Sequence, residues 1–356
     1  MARLVVLDAL PEESFVEELR RAWDEGDAVL PVDPRLPPPA RAALLRVMRP
    51  GEPVAEGDAL VVATSGTTGE PKGAVLTHAA IRASAEATSA RLGVDPERDH
   101  WLACLPLAHV GGLSVVTRAL ITGTRLTLRP RYDHTTGATL VSLVATQLLR
   151  IDASPWRRIV LGGSRPPETL PSNVVATYGM TETGSGIVYD GVPLSGVEVR
   201  IVDGEVQVRG PMLLRCYRDG ADPKDADGWL ATGDSGEFDR TGRLRVHGRI
   251  GDVIVTGGEK VWPDAVEEVL RRCAGVADVA VTGIPDEEWG ERVTAFVVPV
   301  QRSAPPSLED LRAAVKAETA AYAAPRQLVL VDELPRTALG KVQRGRLRGG
   351  QTGQKL

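Results

Sequence analysis

The chain has 356 residues, of which 43% are apolar and 25% charged, and its formal net charge is −5. This length exceeds what one hydrophobic core usually supports, so two domains are expected, and the composition is that of a soluble globular enzyme. Basic and acidic residues are mixed and the three cysteines lie far apart, which excludes a nucleic-acid track, a polybasic membrane patch, a disulfide framework and a cysteine-rich zinc site.

The beginning of the chain predicts a cytoplasmic location. Met1–Asp8 turns acidic before the apolar core of a signal peptide could form. No apolar run approaches the length of a membrane span. We therefore expect a cytoplasmic enzyme in a reducing compartment, with no membrane insertion and no nucleic-acid partner.

In chain order, a helical stretch near Glu12–Trp23 and a proline-rich turn come first, and then apolar, β-branched runs alternate with helical patterns. The predicted strands are Ala59–Ala63, Arg125–Leu128, Arg158–Leu161 and Asn173–Ala176. The predicted helices between them are Ala79–Arg91, capped by Gly93, and Gly137–Arg150. Such alternation predicts an α/β domain with a mostly parallel, helix-covered sheet.

After Gly186 the pattern changes to short alternating strands, which predict a small β subdomain. These strands are Val197–Val202, Glu205–Arg209, Gly236–Asp239 and Leu244–His247. Beyond Arg249 an α+β unit is expected, with a helix that begins at Pro263, strands at Val276–Thr282 and Val293–Val300, and a helix from a capping box at Ser307 to about Tyr322.

The segment Thr64–Gly73 combines hydroxyl side chains, glycines and one lysine directly after a predicted strand. Glycines let the backbone approach a ligand, hydroxyls donate hydrogen bonds, and the lysine adds a point charge. This composition predicts a loop that holds a polyphosphate. It differs from the Walker loop, because no Gly-Lys-Ser/Thr sequence closes it.

This loop and the segments that follow it resemble the motifs of the adenylate-forming superfamily, which includes acyl-CoA synthetases, peptide-synthetase adenylation domains and luciferases. The other matching segments, in family order, are Tyr178–Thr183, Gly228–Asp234, Gly248–Asp252 with Gly257–Lys260, and Pro335–Lys341. The resemblance implies a large N-terminal domain of helix-covered sheets plus a small β subdomain over 1–248, and a mobile α+β C-terminal domain over 249–356. The hinge would lie near 249–252, where Gly251 occupies a position that is commonly Asp or Lys in the family.

The resemblance also implies where ATP and Mg²⁺ bind. Tyr178, Gly179, Gly163 and Ser164 would contact adenine, and Asp234 and Arg249 would bind the ribose. Thr181 would hydrogen-bond the α-phosphate and Glu182 would bind Mg²⁺. The residues that would hold the β- and γ-phosphates are Thr64, Ser65, Gly66, Thr67, Thr68, Gly69 and Lys72.

The implied reaction is that of an AMP-forming acid–thiol ligase. A carboxylate attacks the α-phosphate to give an acyl adenylate and pyrophosphate, and the thiol of coenzyme A then displaces AMP. The first step brings two anions together, so positioned positive charge is the main requirement. Lys341 would supply that charge, and Gly258 would face the thiol channel after the small domain rotates.

Two residues are candidates for the acyl pocket. His109, within Pro106–Gly112, matches the family segment that borders this pocket, and a hydrogen-bonded loop histidine is the alternative. Arg118 interrupts the apolar run Leu113–Ile121, and such a charge is seldom left unpaired. Arg118 would either extend to solvent or meet a second carboxylate on the substrate.

The short N-terminal region, the spacing of His109 and Arg118, and Tyr189–Leu194 resemble compact acyl-CoA synthetases that act on a dicarboxylic acid. Three alternatives stay open: a ligase for another acyl or aryl acid, a free-standing adenylation enzyme that loads a carrier protein, and a non-catalytic nucleotide-binding relative. The presence of Lys341, Glu182 and Asp234 argues against the last. The expected partners are a small carboxylic acid, ATP and coenzyme A, and a homodimer is compatible with the sequence.

Overall fold

The computed structural model describes residues 2–65, 71–167, 169–336, 342–349 and 354–355. The chain forms two compact units. Unit 1 comprises Met1–Arg200, Gln207–Ala231 and Phe238–Leu244, and unit 2 comprises Ile201–Val206, Thr232–Glu237 and Arg245–Leu356. The domain boundary at residues 248 and 249 stays a prediction. Across the described residues, every helix is too short or too polar to cross a membrane.

The helices of the described ranges include those expected from the sequence, apart from one. They are α1 (Glu13–Asp24), α2 (Pro38–Met48), α3 (His78–Leu92), α4 (Val110–Thr122), α5 (Ala145–Leu148), α6 (Pro263–Arg271), α7 (Leu308–Glu318) and α8 (Arg344–Arg348). Helix α3 begins where the Thr77 hydroxyl accepts a hydrogen bond from the Ala80 N–H at 3.1 Å, and it ends at Gly93, whose φ of +60° favours glycine.

The strands alternate with these helices in the first part of the chain and cluster after α5. They are β1 (Leu4–Asp8), β2 (Ala28–Val32), β3 (Asp58–Ser65), β4 (Pro71–Thr77), β5 (His100–Ala103), β6 (Arg125–Leu128), β7 (Leu140–Val144), β8 (Arg158–Gly162), β9 (Val174–Met180), β10 (Ser185–Tyr189), β11 (Val192–Pro193), β12 (Glu198–Val202), β13 (Glu205–Arg209), β14 (Cys216–Tyr217), β15 (Leu230–Phe238), β16 (Leu244–Arg249), β17 (Ile254–Thr256), β18 (Glu259–Val261), β19 (Val276–Asp286), β20 (Gly290–Pro299), β21 (Gln327–Leu330) and β22 (Gln354–Lys355).

Unit 1 contains two sheets. The first has the order β1-β2-β3-β4-β14, in which β1 to β3 are parallel and β4 and β14 are added antiparallel. The second has the order β11-β10-β9-β8-β7-β5-β6, and β5 to β9 are parallel. Because the carboxyl ends of parallel strands meet at one edge of a sheet, the residues after β8 and after β9 lie at the same edge, where ligands of such sheets bind.

The prediction of a helix over Gly137–Arg150 was wrong. Leu140–Val144 forms the parallel strand β7 between β5 and β8, and only one helical turn, α5, follows it. Leu140, Val141 and Leu143 are at most 1% exposed. A strand buried on both faces is continuously apolar, so its sequence lacks the alternation that distinguishes a strand from a helix.

Unit 2 contains the sheet β18-β17-β20-β21-β22, to which β19 adds by pairing with β20. Pro263 is the first residue of α6, where its missing N–H costs nothing. Val266, Val269 and Leu270 of this helix enter the core with residues of β19 and β20, as the apolar face of the sequence predicts.

Candidate active site

The strands β3 and β4 flank the predicted phosphate loop. Thr64 and Lys72 are paired in antiparallel register, and the Ser65 backbone pairs with Pro71. The Ser65 side chain and the predicted residues Gly66, Thr67, Thr68 and Gly69 lie outside the described part of the chain. The sequence placed the loop between a strand and a helix, and the structure adds the strand β4 before α3.

Lys72 and Glu182 are linked through a third side chain, that of Tyr217. The Lys72 ammonium lies 4.9 Å from the centre of the Tyr217 ring, within the range of a cation–π contact. The Tyr217 hydroxyl donates a hydrogen bond to Oε1 of Glu182 at 3.0 Å. Tyr217 reaches this place because β14 pairs with β4, with Tyr217 opposite Ala74. No pattern in the sequence singles out Tyr217.

The turn Thr181–Thr183 holds Glu182 at the end of β9. The buried Thr183 hydroxyl donates to the Ser185 carbonyl at 2.7 Å and accepts from the Met180 N–H at 2.9 Å. The Glu182 carbonyl accepts a hydrogen bond from the Leu214 N–H at 2.7 Å. The backbone that carries Thr181 and Glu182 is therefore fixed from both sides.

The predicted adenine residues lie at the ends of the neighbouring strands β8 and β9. Gly163 has a φ of +86°, so the chain turns away from the sheet there, and Ser164 is exposed. A Cβ on Gly179 would lie 2.1 Å from the Ser185 carbonyl oxygen, so only glycine fits beside β10. Tyr178 pairs with Val188 across the same strands.

The predicted ribose residues contact each other within unit 2. Arg249 Nε lies 2.9 Å from Oδ1 of Asp234, and Arg249 Nη1 donates to the Thr232 carbonyl at 2.7 Å. Asp234 is 6% exposed. Gly258 is exposed with a φ of +84°, and Lys341 lies outside the described residues.

Arg118 is a fully buried cation whose guanidinium is incompletely paired. It is 1% exposed, so the extension to solvent that the sequence left open is wrong. Its Nη2 donates to the Ser185 hydroxyl at 3.4 Å and its Cζ lies 4.8 Å from the Trp101 ring centre. Its Nε and Nη1 are buried and have no hydrogen-bond partner among the described residues. Burial lowers the pKa of this guanidinium.

A cavity adjoins the Arg118 guanidinium. It is small, about 10 Å³, which is roughly the room of one water molecule. Apolar side chains of β3, β4, α3 and α4 form most of its wall together with Ser114 and Arg118. The Ser185 and Ser114 hydroxyls are 3.4 Å apart beside it. A buried cation with unused donors is suited to an anionic group, and a carboxylate would reach it once the neighbouring side chains move apart.

His109 immediately precedes α4 and is half-buried. Burial lowers its pKa, Asp33 opposes this shift and Arg35 adds to it. The imidazole is therefore neutral at pH 7 and presents an uncharged ring.

We expect His109→Gln to reduce the loss of stability in acid. Because the folded protein binds this proton less tightly than the unfolded chain, its stability falls as the pH drops below the ordinary histidine pKa of about 6.5. Urea unfolding at pH 7.5 and 5.5 measures the difference, with the exposed His134→Gln as the control. The variant should still lose some stability in acid, because burial also lowers the pKa values of His78 and His100. Equal acid sensitivity in the His109 variant and the wild type would contradict this assignment.

Comparisons with known proteins agree with these features. The AMP-binding enzyme family model matches residues 3–218, and the AMP-binding enzyme C-terminal domain matches residues 265–341. A probable 2-succinylbenzoate–CoA ligase of Mycobacterium tuberculosis (strain CDC 1551 / Oshkosh) is 39% identical over 343 residues, which cover 87% of this chain and 89% of that protein. The 2-succinylbenzoate–CoA ligase of Bacillus cereus (strain ATCC 10987 / NRS 248) is 36% identical over 336 residues, or 81% of this chain and 69% of that protein.

Solved structures are similar over nearly the whole chain. The o-succinylbenzoate CoA synthetase of Bacillus subtilis in complex with the acyl-adenylate intermediate OSB-AMP has a TM-score of 0.87 and 28% identity, covering 99% of this chain and 89% of that one. The same enzyme in complex with ATP and magnesium ion has a TM-score of 0.86 and 28% identity, covering 97% of this chain and 89% of that one.

Proposed function

This chain belongs to the AMP-binding enzyme family, and on that premise we propose that it is an AMP-forming o-succinylbenzoate–CoA ligase of menaquinone biosynthesis. It converts o-succinylbenzoate, ATP and coenzyme A into o-succinylbenzoyl-CoA, AMP and pyrophosphate through an acyl adenylate. The relatives named 2-succinylbenzoate–CoA ligase and the similar structure bound to OSB-AMP support this assignment.

The observation that carries the substrate assignment is the incompletely paired guanidinium of Arg118. O-succinylbenzoate has two carboxylates: the succinyl carboxylate is activated and the benzoate carboxylate remains free. Arg118 Nε and Nη1 are buried without partners in the described structure, beside a mostly apolar cavity. A carboxylate can accept two parallel hydrogen bonds from a guanidinium, here one from Nε or Nη1 and one from the second N–H of Nη2, whose first N–H donates to Ser185. A monocarboxylic acid cannot accept them once its only carboxylate is activated.

The residues near Glu182 fit a bound Mg²⁺. Mg²⁺ is usually held by one or two carboxylates together with the phosphates of a nucleotide and water, and not by an all-protein cage. The described residues contain no cluster of three or more His, Cys, Asp or Glu side chains that could hold a metal, so the protein's contribution would come mainly from the Glu182 carboxylate. When bound, the ion would neutralise phosphate charge.

The remaining site residues divide the work of binding and orientation. Thr64 and Lys72 would bind the β- and γ-phosphates, and Thr181 would hydrogen-bond the α-phosphate. Asp234 would accept hydrogen bonds from the ribose hydroxyls while Arg249 fixes its carboxylate at 2.9 Å. His109 would border the acyl group as a neutral ring, because burial disfavours its charged form.

Formation of the product thioester tests the proposal. The protein is incubated with ATP, Mg²⁺, coenzyme A and o-succinylbenzoate, and mass spectrometry detects o-succinylbenzoyl-CoA and AMP. Exchange of pyrophosphate with ATP on a panel of acids identifies a ligase for another acid, and transfer to a carrier protein but not to coenzyme A identifies a carrier-loading enzyme. Absence of exchange with every acid would indicate a non-catalytic relative.

We expect Lys341→Ala to slow adenylate formation by about 10²-fold, the usual cost of one preorganised charge in a transition state. The transfer step should keep its rate when the acyl adenylate is supplied, because the lysine would act before the domain rotates. Rapid-quench measurements give the rate of adenylate formation and the rate of transfer to coenzyme A separately. Adenylate formation at the full rate would contradict the role of this lysine.

Two further proposals concern where the enzyme acts and whether it forms a dimer. A cytoplasmic location, which the sparse and unpaired cysteines support, would place the enzyme beside coenzyme A and ATP. A homodimer is a further prediction, and light scattering of the purified protein tests it.

A further inference from the structure

We infer that Tyr217 is a positioning residue that orients Glu182 and Lys72 for the nucleotide phosphates and Mg²⁺; this inference rests on the proposed function. Tyr217 lies outside the motif segments identified in the sequence. The reason lies in geometry, since one half-buried ring contacts both groups on which binding of Mg²⁺·ATP is expected to depend.

The hydroxyl of Tyr217 acts on Glu182. It donates to Oε1 at 3.0 Å, which restricts the rotation of the carboxylate and directs Oε2 away from the tyrosine. The backbone of Glu182 is already fixed by the Leu214 N–H, so the side-chain torsions are its main remaining freedom. Groups that orient a metal-binding carboxylate contribute strongly to metal affinity, although they do not touch the ion.

The ring of Tyr217 acts on Lys72. The ammonium lies 4.9 Å from the ring centre and its side chain is exposed, so the aromatic face limits the positions that this flexible chain samples. The register of β3 and β4 places Lys72 opposite Thr64, at the start of the phosphate loop. The two functions of Tyr217 therefore reside in different parts of one side chain.

Two substitutions separate these functions. Tyr217→Phe removes the hydrogen bond to Glu182 and keeps the ring under Lys72, whereas Tyr217→Leu removes both. Tyr132→Phe is the matched control, because it deletes a tyrosine hydroxyl that accepts from Trp156 Nε1 at 2.8 Å, outside the site. Isothermal titration calorimetry measures ATP binding with Mg²⁺ and with EDTA, and circular dichroism checks that each variant is folded.

We expect Tyr217→Phe to weaken ATP binding about tenfold with Mg²⁺ and to leave binding in EDTA unchanged. Tyr217→Leu should weaken binding under both conditions, and Tyr132→Phe should match the wild type. In a Glu182→Gln background, Tyr217→Phe should have little further effect on binding with Mg²⁺, since the two residues act as one unit.

The inference would be overturned if Tyr217→Phe bound ATP with Mg²⁺ as tightly as the wild type does. It would also be overturned if the variant lost the same factor of ATP affinity with and without Mg²⁺. An additive effect in the Glu182→Gln background would also overturn it, because the tyrosine would then act independently of the carboxylate. The proposed function fails separately: a wild-type protein that binds no ATP, or that binds ATP and forms no thioester, rejects the function whatever the tyrosine variants do.

Discussion

Arg118→Ala is expected to lower kcat/KM for o-succinylbenzoate by about 10³-fold, because an unpaired buried charge costs about 3–5 kcal/mol and each 1.4 kcal/mol is about tenfold. The free carboxylate of the substrate would enter the cavity without a counter-ion. A monocarboxylic acid places no second charge there, so its kcat/KM should change by less than about tenfold. Steady-state kinetics with o-succinylbenzoate and with a matched aryl acid lacking the benzoate carboxylate measures the ratio.

The same position should show the opposite effect on stability. Arg118 is 1% exposed and two of its nitrogen atoms lack partners in the described structure, so the substrate-free protein carries the cost of this buried charge. Arg118→Met fills similar volume without charge, and replacing a buried charge in this way stabilises some proteins by about 1–4 kcal/mol. Urea unfolding without substrate should therefore give a higher free energy of unfolding for this variant.

Arg118→Lys provides the matched control, since it keeps the charge and loses the planar pair of donors. We expect it to recover part of the lost activity. The exposed Arg125→Ala should leave both kinetics and stability unchanged. Equal loss on the two acids would reject the assignment of Arg118 to the second carboxylate, and a destabilised Arg118→Met would show that the protein itself satisfies the guanidinium.

Arg344→Ala is expected to destabilise unit 2 by about 3 kcal/mol, because it removes one of the two cations that pair with the buried carboxylate of Glu267, the other being Arg271. Arg344 Nη1 donates to Asp252 at 2.9 Å, and Nη2 donates to Glu267 at 2.8 Å and to Asp264. The Arg344 side chain is 10% exposed and that of Glu267 only 2%. Urea unfolding measures the loss, with Arg346→Ala on the exposed face of α8 as the control.

The deficit of Arg344→Ala should shrink as the pH falls. Burial raises the pKa of Glu267, and Arg344 is the strongest influence that lowers it. Without Arg344 the pKa of Glu267 rises further, so the folded variant binds this proton more tightly than the unfolded chain does. Lowering the pH from 7.5 to 5.5 therefore favours folding of the variant relative to the wild type. A deficit that is the same at both pH values would show that lost packing, and not the buried carboxylate, is responsible.

Local signals in the sequence predicted much of the fold. Gly93 as a C-cap, Pro263 at the start of a helix and the strand Arg125–Leu128 are all confirmed, because each depends on residues close in sequence. The α/β fold expected from the motifs is confirmed by the similar solved structures. The strand β7 was missed, since a short, continuously apolar run has no period of its own.

The surroundings of the site residues could not be predicted. The sequence identified Arg118 as an unusual charge, but it did not show that Ser185 of the distant strand β10 and Trp101 of the preceding strand β5 approach it. Tyr217 joins Lys72 to Glu182 only because β14 pairs with β4. Such contacts depend on the order of strands in the sheet, which secondary-structure propensities and local hydrophobic patterns do not specify.

Side-chain hydrogen bonds hold the residues on either side of the predicted hinge. Arg249 is anchored by Asp234 and Thr232, and Asp252 is anchored by Arg344. Between these anchored residues, Ile250 and Gly251 belong to the short 3-10 turn Ile250–Asp252, and a Cβ at Gly251 would meet nothing within 4 Å. We propose that a rotation of the C-terminal domain would turn about these two residues, since glycine at 251 permits a wide range of φ and ψ.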